Sequence, residues 1–128
     1  MEIRSLSLSR DRQTIDAFYT RAGIRLDAGI TALCGVYEGE TLLALGGLAE
    51  RSIRSLAVED ASRGEGLLSL LVSHLYRTLR ENGAENVFVV TKPVYAPLFV
   101  SLGFHKRAEI AEAALLESRR RPIVLLRR

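Results

Sequence analysis

Residues 51–83 constrain this chain more than any other stretch. Ser52-Ile53-Arg54-Ser55-Leu56-Ala57-Val58 reads as a strand, and Ala61 to Gly66 as a tight turn with glycines at Gly64 and Gly66. From Leu67 onward, Leu67, Leu70, Leu71, Leu75 and Leu79 recur at helical spacing until Asn82-Gly83 supplies a C-terminal stop. A strand that turns through glycines into a helix makes an anion site. The first N–H groups of a helix have no intrahelical partner, and the helix dipole adds partial positive charge. Glycine lets that backbone approach a phosphate with no Cβ between them. The same residues also fit an ordinary strand–turn–helix corner, so the loop needs support from the rest of the chain.

That support begins with element order. Residues 2–8 alternate apolar and polar, and Ser9 or Asp11 is placed to cap a helix carrying Ile15, Phe18, Tyr19 and Ala22 on one face. Gly23 and Gly29 mark a loop. Residues 31–37 and 41–48 read as a hairpin around Glu38-Gly39-Glu40, with Gly46-Gly47 pointing to a bulge or a close backbone approach. After the central helix, Val87-Phe88-Val89-Val90 is the continuous apolar run expected of a strand covered on both faces. Pro93 suits the start of a short helix that Gly103 ends. Two further apolar runs, residues 113–116 and 123–126, are each able to close the sheet. The pattern is one α/β unit with a sheet of mixed direction.

Composition excludes several classes. The chain has 128 residues with 48% hydrophobic and 26% charged, a globular balance. It shows no signal peptide and no apolar run long enough to cross a bilayer. Cys34 is the single cysteine, so no internal disulfide forms, and a reducing cytoplasm is the simplest location. One Cys and two His give no basis for a metal site. The formal charge is +3, but Arg119, Arg120, Arg121, Arg127 and Arg128 crowd the last ten residues. The body is therefore mildly acidic and lacks the basic face of a nucleic-acid binder.

Two familiar phosphate loops do not fit: no Gly-x4-Gly-Lys run exists, and Ser69 occupies the third-glycine position of a dinucleotide fingerprint. The spacing Arg63-x-x-Gly66-x-Leu68 instead resembles motif A of the GCN5-related N-acetyltransferase (GNAT) superfamily, which has Gly or Ala where Leu68 stands. Leu98-Phe99 through Gly103-Phe104 resembles the end of that superfamily's motif B. Within it, Arg63-Gly64-Glu65-Gly66-Leu67, Thr91-Lys92-Pro93, Leu102-Gly103-Phe104 and Leu115-Leu116-Glu117-Ser118 are similar to the N-terminal domain of citrate lyase ligases. The resemblance implies a GNAT fold over residues 1–118, with six or seven strands flanked by three or four helices. Residues 119–128 then form a basic segment or a closing strand. It implies acetyl-CoA as co-substrate, held by Leu56, Ala57 and Val58 and by the loop residues Arg63, Gly64, Glu65, Gly66, Leu67 and Leu68. The acceptor is an amine of a small molecule or protein; a homodimer is compatible with the sequence. A non-catalytic acyl-CoA-binding module is the alternative.

Acid and base are less legible. The motif B tyrosine that protonates the departing thiolate is replaced by Phe99, and the motif's asparagine by Lys92. Tyr95 is the nearest phenol. Glu50 and Glu59 flank the motif strand, and His74 and His105 complete the candidates for a base. Of these, Glu50 and Tyr95 are the catalytic expectations. Cys34 reads as a small core residue.

Overall fold

The structure, a computed structural model, describes residues 1–59, 66–110 and 113–118. The chain runs β1 (Glu2–Leu6), α1 (Arg12–Ala22), β2 (Ala32–Glu38), β3 (Thr41–Ala49), β4 (Ser52–Val58), α2 (Leu67–Glu81), β5 (Val87–Thr91), a 3-10 turn (Pro93–Tyr95), α3 (Ala96–Ser101), β6 (His105–Ile110) and β7 (Ala113–Ser118). The seven strands form one sheet in the order β1-β2-β3-β4-β5-β7-β6. Strands β1 to β4 make an antiparallel meander, α2 carries the chain over to a parallel β5, and β7 runs antiparallel to β5 with β6 outside it. The expected mixed sheet and helix number are both present.

Each face of the sheet is covered because each helix has one apolar stripe. On one side, Ile15, Phe18 and Tyr19 of α1 bury against Leu6, Leu33, Leu45 and Ala57. On the other, Leu67, Leu68, Leu71, Val72, Leu75 and Leu79 of α2 bury against Val36, Ala44, Val87 and Val89, together with Phe99 and Phe104.

Several details depart from the sequence reading. Leu70 is exposed, and Leu68 and Val72 widen the stripe in its place. Neither Ser9 nor Asp11 caps α1 with its side chain; the Asp11 carboxylate accepts from the Ser7 N–H at 2.8 Å instead. In β5, Val87 and Val89 are fully buried while Phe88 and Val90 are only half-covered. The strand β6 arises from His105-Lys106-Arg107, which shows no apolar alternation; pairing with β7 outweighs the local pattern. Residues 123–126, the other candidate closing strand, lie outside the described residues, as does all of 119–128.

Candidate active site between strands β4 and β5

The parallel seam between β4 and β5 is short. Ser52 pairs with Phe88 and Ile53 with Val89, and no pairing follows. Beyond Ile53 the two strands part. On its other side β4 stays paired to β3, but with an irregularity: Gly47 faces Arg54 and Leu45 faces Ala57, so two β3 steps span three on β4. The extra residue makes a bulge at Ser55-Leu56, which have no register partner on either neighbour. Ser55 carries a φ of 54°, a left-handed conformation that a residue with a Cβ adopts only when its surroundings hold it there.

Those surroundings are specific. The Tyr19 hydroxyl donates to the Ser55 carbonyl at 2.7 Å. Ser55 Oγ accepts from the Asp27 N–H and donates to the Arg25 carbonyl, both at 3.0 Å. Asp27 Oδ2 lies 3.6 Å from Arg54 Nη1. The bulge thus fastens the α1–β2 loop, and the loop fastens the bulge. Burial, aided by the nearby Asp27 charge, pushes the Tyr19 phenol well above its ordinary range, so it is a fixed hydrogen-bond donor at neutral pH. Opposite the bulge, a Cβ on Gly46 would fall 2.8 Å from Leu56 Cδ2, and one on Gly47 would fall 2.9 Å from Ile30 Cδ1. The double glycine therefore serves close approach, and the inserted residue sits on the neighbouring strand.

Where the strands part, a cleft of about 720 Å³ opens, lined by Ser55 and Leu56 of β4, by 23–25 and Asp27 of the α1–β2 loop, and by 90–94 at the end of β5. A smaller pocket of about 220 Å³ lies at the end of β4, between Phe18, Arg21, Ala22, Val58 and Glu59. The chain then enters residues 60–65, outside the described residues, and returns at Gly66, whose φ of 78° and missing Cβ begin α2. No side chain caps this helix start, and its first turn holds no acidic residue. The N–H groups there suit an anion.

The expected site residues separate into three groups. Leu56 lines the cleft, Val58 lines the smaller pocket, Ala57 is buried toward α1, and Gly66, Leu67 and Leu68 start α2. Arg63, Gly64 and Glu65 lie outside the described residues. The acid–base candidates are not brought to the cleft. Glu50 is exposed in the β3–β4 turn, at the opposite end of β4, with a φ of 57°. Glu59 pairs with Arg21 at 3.6 Å. Tyr95 sits half-buried in the 3-10 turn against the main core, His74 half-buried on α2, and His105 exposed at the start of β6. Phe99 is fully buried with its ring edge against Phe104, centroids 5.5 Å apart. Cys34 is buried as expected, and burial raises its thiol pKa.

The chain is 32% identical over 92 residues to citrate lyase ligase from Haemophilus influenzae, a match that covers 71% of this chain and 28% of the ligase. It is a GNAT-superfamily protein related to citrate lyase ligase. No protein-family model matches it. This GNAT chain spans less than a third of the length of the citrate lyase ligases it matches. Its fold superposes on yncA of Salmonella typhimurium, solved with acetyl-CoA, at a TM-score of 0.73, with 16% identity and coverage of 96% of this chain and 95% of that one. The N-acetyltransferase PaiA of Thermoplasma acidophilum, solved in complex with coenzyme A, superposes at 0.68, with 14% identity and coverage of 93% and 99%. Among the described residues, no helix of this GNAT chain is long and apolar enough to cross a membrane.

Four residues of the site escaped the sequence reading: Tyr19, Arg25, Asp27 and Ser55. Tyr19 fits the apolar face of α1, and its hydroxyl target is 36 positions away. The one local signal was Gly46-Gly47, which marks the place on β3 that β4 crowds.

Proposed function

We propose that this chain binds acetyl-CoA across the parted strands and transfers the acetyl group to an amine. The observation that carries the reading is the separation of β4 from β5 immediately after Ile53, with a bulge and a cleft at the opening. Acetyl-CoA would lie with its pyrophosphate toward the start of α2 and its thioester toward Ser55-Leu56. Backbone donors there, fixed in advance by Tyr19 and the Ser55 side chain, stabilise charge on the carbonyl oxygen as it becomes tetrahedral. The amine nitrogen forms a bond to the carbonyl carbon and the carbon–sulfur bond breaks. The ammonium proton leaves through water in the open cleft, and the thiolate takes its proton from water. Among the described residues lining the cleft, Asp27 is the sole carboxylate, and Arg54 engages it.

A second reading is an acyl-CoA-binding module without transfer, such as one domain of a longer ligase. It is favoured by the lining of the cleft, which among the described residues includes none of Glu50, Tyr95, His74 and His105. Calorimetric titration with CoA tests the shared premise, and absence of binding removes both readings. Thiol release from acetyl-CoA over an amine panel separates them: saturable release with one amine establishes transfer, and binding without release establishes the module.

A further inference from the structure

We propose that the cleft takes an acceptor bearing a carboxylate beside its amine, an amino acid in chemical class; this rests on the acetyl-transfer reading above. Three charged residues line the cleft: Arg25, which is exposed at its mouth, and the half-buried Asp27 and Lys92. The Asp27 charge is met by Arg54 at 3.6 Å, and its backbone N–H is spent on Ser55 Oγ. Arg25 and Lys92 have no carboxylate partner among the described residues. One cation thus comes from each wall, Arg25 from the α1–β2 loop and Lys92 from the connection after β5.

Both are held by backbone. Ser55 Oγ donates to the Arg25 carbonyl at 3.0 Å, which fixes that residue relative to the bulge. Lys92 is extended at φ −60° and ψ 141° and precedes Pro93, a combination with little freedom. Next to it, Thr91 is 6% exposed, lines the same cleft, and has a buried hydroxyl with no hydrogen-bond partner among the described residues. A buried hydroxyl left unpaired is costly.

The charge balance selects the ligand. An acceptor whose only charge is its ammonium would meet two unneutralised cations and one carboxylate already engaged. A carboxylate reverses the sign of both contacts, and the arginine fork grips it through two parallel bonds. The reacting nitrogen must reach the bulge at Ser55-Leu56, in the same cleft. Amine and carboxylate therefore belong to one small molecule.

The test reads binding and does not depend on turnover. An isotope-labelled sample is titrated by NMR with N-acetylalanine, a product-like acid, and with N-acetylalaninamide, its uncharged counterpart. Saturable shifts centred on Arg25, Thr91 and Lys92 are expected for the acid, with the amide at least about tenfold weaker, a difference of about 1.4 kcal/mol. Arg25→Gln and Lys92→Gln should each erase most of that preference. Equal affinity for acid and amide, no saturable binding of the acid up to its solubility limit, or a Lys92→Gln variant that loses CoA affinity and keeps the acid preference would each overturn the proposal. CoA affinity, measured on the same samples, keeps the two readings apart: a chain that discriminates the acid without binding CoA refutes acetyl transfer and leaves the carboxylate site standing.

Discussion

The Tyr19 hydroxyl reaches the carbonyl of Ser55 at 2.7 Å, joining the first helix to the one inserted residue of strand β4. Removing that hydroxyl leaves a buried carbonyl short of its donor. Tyr19→Phe should destabilise the fold by about 1–2 kcal/mol, and Ser55→Ala, which frees both Arg25 and Asp27, by about 1–3 kcal/mol. Urea denaturation measures both. Variants as stable as the parent would show that the bulge is held by sheet pairing alone.

Stability should fall in alkali. Burial raises the pKa of the Cys34 thiol, and burial with the Asp27 charge raises that of the Tyr19 phenol. In each case the unfolded chain gives up its proton first, so it binds fewer protons than the folded chain and the slope of stability against pH is negative there. The contribution is complete at neutral pH and is lost from about pH 8.5–9 upward for the thiol and above about pH 10 for the phenol. Cys34→Ala should flatten the first part of the fall and Tyr19→Phe the second. A urea midpoint that stays level through this range would contradict the assignment.

At Gly46 space is the constraint. A methyl group there meets Leu56 at 2.8 Å, Leu75 at 3.1 Å and Leu71 at 3.2 Å, three side chains of a closed core. Gly46→Ala is expected to cost about 1–3 kcal/mol, with a larger drop in CoA affinity than a remote variant of equal stability. Unchanged CoA affinity would mean that the bulge tolerates displacement.

Backbone angle governs Gly66. Its φ is 78° and, among the described residues, no atom beyond its chain neighbours lies within 4 Å of the point where a Cβ would stand, so Gly66→Ala should cost about 1–2 kcal/mol, chiefly through conformation. Gly66→Asp adds a negative charge at the start of α2 and should abolish CoA binding in calorimetry. Retained affinity in the aspartate variant would place the phosphates elsewhere.

Tyr95 and Phe99 give opposite expectations. Tyr95 is not among the residues lining the cleft, so Tyr95→Phe should leave most of any transfer activity; a loss of about a hundredfold in turnover, with CoA affinity intact, would make it the acid. Phe99 is fully buried against Phe104, so Phe99→Tyr should bury a hydroxyl and destabilise by about 1–3 kcal/mol without speeding thiol release. Faster release would show that position 99 reaches the sulfur after all.

Local chemistry explains what the sequence disclosed. Strand β4 was legible to its end residues because it lies between a turn and a glycine loop, and α2 because its leucines repeat at helical spacing. The candidate site was half legible: Gly66 at the start of α2 follows from local pattern and Leu56 in the cleft from the resemblance, while Arg25 and Asp27 sit in a loop with no periodicity. Their position depends on Ser55, about 30 residues further on, and a serine in mid-strand announces nothing. Strand β6 was missed for a related reason, since His105-Lys106-Arg107 is stabilised by its partner β7 and not by its own composition.

The early parting of β4 and β5 also bears on self-association. Unpaired strand backbone invites another chain to add itself, which is why exposed edges are aggregation hazards. Here the outer strands carry charge, Glu2 and Arg4 on β1 and Lys106 and Arg107 on β6, which discourages addition at the rims. The open backbone lies in mid-sheet, between the α1–β2 loop and the turn at Pro93. A strand adding there would have to fit between those two walls, a limit that the open rims do not impose. The unpaired backbone of β4 is thus walled in where the two rims rely on charge.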